Sequence, residues 1–380
     1  MTNFDTIIIG AGFSGLYQLH RCRDDLNLKT LVIEEGSDLG GTWYWNTYPG
    51  ARCDSESHTY GYTFSENIYK NWTWNEKYPK QSTILKYLNY VEKKLNLRKN
   101  ILFNHKIISA KYLERKNLWQ IKTNKKKVLF CKYLICAVGS LSAANIPKIK
   151  GLNTYKGKYY HTGKWPKKKV NLKNQVVAQI GTGSSGIQVA PEIAKVVKKL
   201  VIFQRTPNYS IPARNKKLTR EFIINFKKDY EKIKKILKKT PGGHTFSFPN
   251  RSVFDFNNKE RNKIFEKAWS KGSLAFRACF SDITKNIKAN ETASNFIKEK
   301  ILKIVKDEEV AKILTNFDHP FTSKRPTLNT NYYETFNKKN VQLVDLKSNP
   351  IIKITKKGIK TKNKDFNFDK IIFATGYDAL

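Results

Sequence analysis

The sequence is poor in acidic residues and in arginine. Asp and Glu number 31 against 71 Lys and Arg, which gives a formal net charge of +40 over 380 residues, and only 12 of the 71 basic residues are Arg. Proteins that recognise duplex nucleic acid usually concentrate Arg on one element, because its planar fork matches phosphate and guanine edges. Here Lys is spread through nearly every segment, so we expect a solvated basic surface and no specific nucleic-acid partner.

Cysteine is also scarce, and long apolar runs are absent. The five cysteines form no CxxC pair, so the sequence predicts neither a disulfide framework nor a metal site. No apolar stretch approaches the roughly 18 residues that a membrane span needs. The stretch from Met1 to Asp5 lacks the basic start of a secretory signal. We therefore expect a soluble protein without a membrane span, located in the cytoplasm.

The chain nevertheless has enough apolar material for more than one hydrophobic core. Hydrophobic residues make up 40% of the sequence and aromatic residues 13%, which excludes a disordered chain. The length is roughly two to three times that of a usual domain. A multidomain protein is expected.

Two segments of the chain repeat one pattern, in which a short β-branched strand leads into GxGxxG and then into a helix. The first runs from Thr6 to Gly15 and the second from Gln175 to Gly186. Such glycines permit a tight bend and bring the backbone close to a pyrophosphate, which then lies at the helix N-terminus. One match alone is weak evidence, but two in this context predict an α/β protein with two Rossmann-like dinucleotide-binding domains.

The residues at the end of the following strand distinguish the two predicted sites. After the first turn, that strand ends at Glu34, an acid at the spacing expected for a ribose 2′-hydroxyl, and its charge would repel a 2′-phosphate. This favours FAD or NAD. After the second turn, the strand ends at Gln204 without an acid and is followed by Arg205 and Thr206, which can bind the 2′-phosphate of NADPH. A flavin site and an NADPH site in one chain indicate hydride transfer from nicotinamide to flavin.

The regions between and after these segments complete the domain plan. Alternating residues near 101–138 predict an antiparallel meander. Apolar residues recur at helical spacing from Leu218 to Leu237 and from Phe296 to Val305, which predicts a helical insertion. We expect an FAD-binding domain over 1–140 to which 375–380 return, an NADPH-binding domain over 141–206 and 323–374, and a helical insertion over 207–322.

One further segment carries a family resemblance. The stretch from Tyr155 to Pro166, with Gly157, His161 and Trp165, resembles the FxGxxxHxxxWP fingerprint of the type I Baeyer-Villiger monooxygenases, in the flavin-containing monooxygenase superfamily. Its first position is Tyr in place of Phe, and it precedes the second GxGxxG as it does in that family. Other similar stretches are 40–45, 48–54, 181–188, 203–207, 324–326 and 332–337, so the resemblance runs from end to end.

The resemblance implies that the chain uses NADPH and O2 to convert a ketone to an ester or lactone through a peroxyflavin anion. Arg325 would stabilise that anion without losing its own proton, and Asp54 would orient the guanidinium. By the same resemblance FAD would be bound by Gly10, Gly12, Ser14, Gly15, Glu34, Thr42, Trp43, Tyr44, Trp45, Asp54 and Tyr60. NADPH would be bound by Gly181, Gly183, Ser184, Ser185, Gly186, Ile187, Gln188, Arg205, Thr206 and Lys324.

Family members continue well beyond the stretch that ends at Asp378, and the missing part would shield the flavin from water and form much of the ketone-binding wall. We therefore expect the chain to be a truncated flavoprotein that binds nucleotides weakly and oxygenates poorly. His161 and Trp165 are given no catalytic role, because a packing or hinge role between the nucleotide domains is at least as well supported.

Other functions stay open at this point. A flavin monooxygenase that oxygenates nitrogen or sulfur would share the architecture, since fold alone does not determine the reaction, although Trp165-Pro166 and Arg325 argue against it. A disulfide reductase would carry a cysteine pair where Thr42 and Trp43 stand. An inactive truncated flavoprotein, or a basic binding protein, is the alternative from another class.

Overall fold

The fold comes from a computed structural model, which describes residues 4–240 and 242–378. Within these ranges the two glycine-rich segments belong to two separate sheets, one of six strands and one of five. This confirms the predicted α/β class with two Rossmann-like units. Of the segment predicted to return to the first unit, 375–380, residues 379 and 380 lie outside the described residues.

The first unit is a parallel sheet extended by an antiparallel meander. Its elements are β1 (Phe4–Ile9), α1 (Phe13–His20), β2 (Thr30–Ile33), α2 (Thr42–Trp45), α3 (Glu66–Asn71), α4 (Gln81–Lys94), β3 (Ile101–Leu102), β4 (Ile107–Leu113), β5 (Leu118–Thr123) and β6 (Val128–Cys136). The strand order is β3-β2-β1-β6-β5-β4. β1 pairs in parallel with β2 and β6, and β5 pairs antiparallel with β4 and β6. Ile7 and Ile8 of β1 are fully buried, as expected for a central strand of a parallel sheet that is covered on both faces.

The second unit begins at the fingerprint segment. Its first elements are β7 (Lys158–His161), β8 (Val176–Ile180), α5 (Ser184–Ile193) and β9 (Lys199–Gln204). β8 and β9 pair in parallel, and Val177, Ala178 and Ile202 in them are fully buried. The β-branched runs of the sequence therefore form the interior strands of this sheet.

A mainly helical region follows. It contains β10 (Ser210–Pro212), α6 (Arg220–Lys228), α7 (Tyr230–Lys239), α8 (Asn258–Lys271), α9 (Ile287–Ile304), α10 (Glu308–Thr315) and β11 (Thr327–Asn329). Phe265 of α8 and Phe296 of α9 belong to the same buried cluster as Ile187 of α5, so the helical region packs on the second unit. Among the residues described, none of the helices is long and apolar enough to cross a membrane.

The chain then returns to complete the second sheet. The remaining elements are α11 (Tyr332–Thr335), β12 (Val341–Asp345), β13 (Ile351–Ile354), β14 (Gly358–Thr361), β15 (Asp365–Asn367) and β16 (Lys370–Phe373). The strand order is β12-β9-β8-β16-β7, with parallel pairing throughout. β8 pairs with β9 on one side and with β16 on the other, just as β1 pairs with β2 and β6. Ligands of open α/β sheets bind beyond the carboxyl ends of the strands at such switch points.

Candidate nucleotide and active site

The first glycine-rich turn leaves no room for side chains. Gly10 follows β1 with φ +98°, in the left-handed region that favours glycine. An added Cβ on Gly10 would lie 2.8 Å from the carbonyl oxygen of Ala137, and one on Gly15 would overlap the carbonyl oxygen of Gly10. The N-cap of α1 is Gly12, which supplies no capping side chain, and Ser14 is exposed beside it. The N–H groups at the start of α1 are therefore free to bind an anion.

Glu34 is held beside this turn by the backbone. Its side chain is buried, and its two carboxylate oxygens accept hydrogen bonds from the N–H groups of Ala11 and Gly36, each at 2.7 Å. Each oxygen has a second lone pair, so the carboxylate can still accept from hydroxyl groups. The arrangement suits the ribose of a dinucleotide that has no 2′-phosphate.

The aromatic segment α2 lies directly against the first turn. An added Cβ on Gly41, just before α2, would lie 2.9 Å from the Cα of Gly12, so the two backbones approach closely. Trp43 is buried, and its indole N–H donates to the hydroxyl of Tyr60 at 3.2 Å. Trp43 thus belongs to the core of the first unit, whereas the other residues of α2 are half-buried and are the ones able to contact a ligand.

The second glycine-rich turn is built in the same way but is more open. Gly181 has φ +105°, and an added Cβ there would overlap the carbonyl oxygen of Ala374. An added Cβ on Gly186 would overlap the carbonyl oxygen of Gly181, but one on Gly183 would meet no atom within 4 Å. Gly183 is the uncapped N-cap of α5, and the two serines that follow it are exposed or half-buried.

The last two residues of this motif point away from that opening. Ile187 is buried in the core. The side-chain oxygen of Gln188 accepts from the hydroxyl of Tyr48 at 2.9 Å and from the N–H of Arg52 at 3.3 Å, and its amide donates to the carbonyl oxygen of Arg52 at 3.1 Å. Gln188 therefore links the second unit, by hydrogen bonds, to the segment between α2 and α3 of the first unit.

The predicted 2′-phosphate ligands lie beyond the end of β9. Arg205 is exposed. The hydroxyl of Thr206 donates to the carboxylate of Asp318 at 3.3 Å, and the ammonium of Lys324 lies 3.8 Å from the same carboxylate. The structure thus brings Thr206 and Lys324 together around an acid that the motif analysis missed. Asp318 lies 112 residues from Thr206, outside any local pattern.

Arg325 and Asp54 form a bidentate ion pair. Nε of Arg325 donates to Oδ2 of Asp54 at 3.1 Å and Nη2 donates to Oδ1 at 2.9 Å, across 271 residues of sequence. Asp54 follows the segment that Gln188 holds, so the pair lies where the two units meet. A guanidinium carries five N–H donors, so three remain for a ligand, and the Arg325 side chain is 61% exposed.

The fingerprint segment links the second sheet to α2. His161 ends the edge strand β7 and is buried, and its Nδ1 accepts from the N–H of Gly163 at 3.0 Å. An added Cβ on Gly163 would lie 2.5 Å from the hydroxyl of Tyr377, and that hydroxyl bonds the side-chain oxygen of Asn46 at 2.5 Å. Asn46 directly follows α2, so these contacts connect the second unit to the first.

Comparison with known proteins agrees with this geometry. The model of the family described as flavin-binding monooxygenase-like matches residues 5–240. Cyclohexanone 1,2-monooxygenase of Acinetobacter sp is 40% identical, over all of this chain and 70% of that protein. Phenazine N-monooxygenase PhzNO1 of Lysobacter antibioticus is 37% identical, again over all of this chain and 70% of its own length. The crystal structure of the OTEMO complex with FAD and NADP superimposes with a TM-score of 0.97 and 38% identity, over all of this chain and 72% of that one.

Proposed function

The chain belongs to the flavin-binding monooxygenase-like family, and from this membership we propose that it is a flavin-dependent Baeyer-Villiger monooxygenase. It uses NADPH and O2 to convert a ketone to an ester or lactone. The observation that carries this proposal is the bidentate pair of Arg325 and Asp54 at the junction of the two nucleotide units. The cytoplasmic location and the absence of a specific nucleic-acid partner stay predictions.

The first turn is suited to FAD. A bound flavin would supply the redox chemistry between reduced nicotinamide and dioxygen. Glu34 would accept hydrogen bonds from the ribose hydroxyls, because its carboxylate is already fixed by two backbone N–H groups. The uncapped start of α1 at Gly12 would bind the pyrophosphate, and the half-buried residues of α2 would line the site.

The second turn is suited to NADPH. The open position at Gly183 lets a pyrophosphate approach the N-terminus of α5. Arg205 and Thr206 would bind the 2′-phosphate together with Lys324, which already lies near Thr206 through their shared partner. Gln188 holds the two units together, so that nucleotides on both would meet near Arg325.

Arg325 is the proposed catalytic residue. A guanidinium is a positively charged hydrogen-bond donor, and the three remaining N–H groups can stabilise negative charge that develops on the carbonyl oxygen of the reacting ketone. Asp54 is a positioning residue, because it occupies the other edge of the guanidinium and so directs the free edge outward. Removing one such donor from an oxyanion site typically costs about 2.7 to 4 kcal/mol.

The decisive experiment is the Arg325→Ala variant. We expect its rate of ester formation from a cyclic ketone to fall by about 10² to 10³-fold, while its flavin content, measured by absorbance, stays that of the parent. Arg115→Ala is the matched control, since Arg115 is exposed in the turn between β4 and β5. Ester formation by Arg325→Ala at the parental rate would contradict the proposal.

Oxygenation of nitrogen is the second candidate function, because the phenazine N-monooxygenase is 37% identical over the whole chain. The two functions differ in product. Incubation with NADPH, O2 and an equimolar mixture of a cyclic ketone and an aromatic N-heterocycle should give the lactone as the main product. N-oxide as the main product would favour the second candidate.

A further inference from the structure

A carboxylate lies in the middle of the proposed 2′-phosphate site. Oδ2 of Asp318 accepts from the hydroxyl of Thr206 at 3.3 Å and from the ammonium of Lys347 at 3.4 Å. Oδ1 lies 2.8 Å from Nδ1 of His319 and 3.8 Å from the ammonium of Lys324. Two of the residues proposed to bind the 2′-phosphate therefore have this acid as their partner.

The position of Asp318 is determined by its neighbours in sequence. Phe317 stacks on Tyr209 with ring centroids 3.8 Å apart, and His319 packs edge-on against the same ring at 5.5 Å. The side chain of His319 is only 8% exposed. Because aromatic contacts anchor both flanking residues, the backbone at Asp318 is held beside Thr206 and Lys324.

The carboxylate is also charged. The hydrogen bond from His319, with the neighbouring charges of Lys324 and Lys347, holds the pKa of Asp318 well below its ordinary value. A phosphate monoester carries between one and two negative charges near neutral pH. A 2′-phosphate that reaches Thr206 and Lys324 must therefore share these partners with a second anion.

We propose that Asp318 determines how tightly the NADPH site binds the 2′-phosphate. Its carboxylate holds Thr206, Lys324 and Lys347 in place, and its negative charge weakens the binding of the phosphate. The inference rests on the proposed use of NADPH. Without this acid, Lys324 and Lys347 would face the phosphate with no opposing charge. Lower affinity for the phosphate is the expected consequence, with no effect on the remainder of the nucleotide.

The test is calorimetric titration of 2′,5′-ADP and of 5′-AMP into the parent and into Asp318→Asn. Asn keeps the shape and one acceptor for Thr206 but removes the charge. Removing one negative charge beside the phosphate should lessen the repulsion that the phosphate meets, so we expect 2′,5′-ADP to bind about five times more tightly to the variant. The affinity for 5′-AMP should not change. The matched control is Asp365→Asn, which makes the same charge change at an exposed position of β15.

The outcomes separate this inference from the proposed function. If neither the parent nor Asp318→Asn binds 2′,5′-ADP better than 5′-AMP, the NADPH site itself is wrong and both proposals fall. If the parent prefers 2′,5′-ADP but Asp318→Asn binds it equally or more weakly, only the role of Asp318 is overturned. If Asp365→Asn tightens binding as much as Asp318→Asn does, the effect comes from net charge and the role of Asp318 is again overturned.

Discussion

The two glycine-rich turns follow the same backbone course but stand in different surroundings. Beside the first, Glu34 is buried and both of its carboxylate oxygens accept backbone N–H groups from its own unit. Beside the second, Arg205 is exposed, and Thr206 bonds an acid from a loop 112 residues away. The acid beside the first turn is therefore held within its own unit, whereas the second site is open and is assembled from distant segments. That difference suits a resident cofactor at the first turn and an exchanging one at the second.

The largest expected effect comes from filling the first turn. In Gly15→Ala the new methyl group would overlap the carbonyl oxygen of Gly10, and backbone cannot move away as a flexible side chain can. We expect a loss of about 3 kcal/mol in the free energy of unfolding, at the upper end for overpacking, and loss of bound flavin. Denaturant unfolding and the ratio of flavin to protein absorbance measure both.

Gly183→Ala in the second turn is the matched control for that substitution. An added Cβ there would meet no atom within 4 Å, and the residue has φ −78°, which any L-residue adopts. Its stability should therefore equal that of the parent within about 0.5 kcal/mol. Equal stability of Gly15→Ala and Gly183→Ala would contradict the statement that the first turn is sterically closed at Gly15 and the second is open at Gly183.

Local pattern was sufficient to predict the two strand-turn-helix units and the acid at Glu34. These features depend on residues that are neighbours in one strand or one turn, so hydrophobic periodicity and glycine spacing reveal them. The fold class was predicted correctly for the same reason. Arg325 and Asp54 were paired only through the family resemblance, since nothing local connects residues 271 positions apart.

Contacts between distant segments were beyond local pattern. Gln188 belongs to the second glycine motif, yet its side chain bonds Tyr48 and Arg52 of the first unit. Trp43 stands between Thr42 and Tyr44 in the sequence, yet it is buried in the core, whereas these two neighbours are half-buried. No local pattern marks Asp318 as a site residue, because its partners Thr206 and Lys347 come from other parts of the chain. In each case tertiary packing decides which of several polar or aromatic neighbours a side chain meets.

A smaller difference in unfolding free energy is expected between substitutions of Glu34, beside the first turn, and of Thr206, beside the second. In Glu34→Gln the amide can still accept one backbone N–H, but its NH2 group then faces the other donor. Breaking a buried hydrogen bond to a charged group costs about 1.5 to 3 kcal/mol, and we expect that loss of unfolding free energy. Thr206→Val removes a hydrogen bond to an exposed carboxylate, so its free energy of unfolding should stay close to that of the parent. Denaturant titration of both variants tests the comparison, and equal losses would contradict it.

The smallest expected effect is a pH dependence that belongs to the second unit. Each sheet buries an ionisable side chain near its turn, but the first buries an acid, Glu34, and the second buries a base, His161. Burial lowers the pKa of His161. The unfolded chain therefore takes up a proton at this residue near pH 6.5, whereas the folded chain does not. Because stability decreases with falling pH wherever the unfolded state binds more protons than the folded state, the contribution of His161 is complete above about pH 6.5 and is lost as the pH drops below it.

The substitution that isolates this term is His161→Asn, whose side-chain oxygen can still accept from the N–H of Gly163, as Nδ1 of His161 does. We expect the parent to lose more unfolding free energy than His161→Asn between pH 7 and pH 5.5, measured by urea titration at each pH. Burial also lowers the pKa of His244 in the helical region. The pH slope of His244→Asn therefore shows how much of the parent's pH dependence comes from a histidine remote from the turns. An identical pH slope in the parent and His161→Asn would mean that His161 takes up its proton in the folded state as readily as in the unfolded one. The pH dependence of unfolding free energy would then not distinguish the second unit from the first.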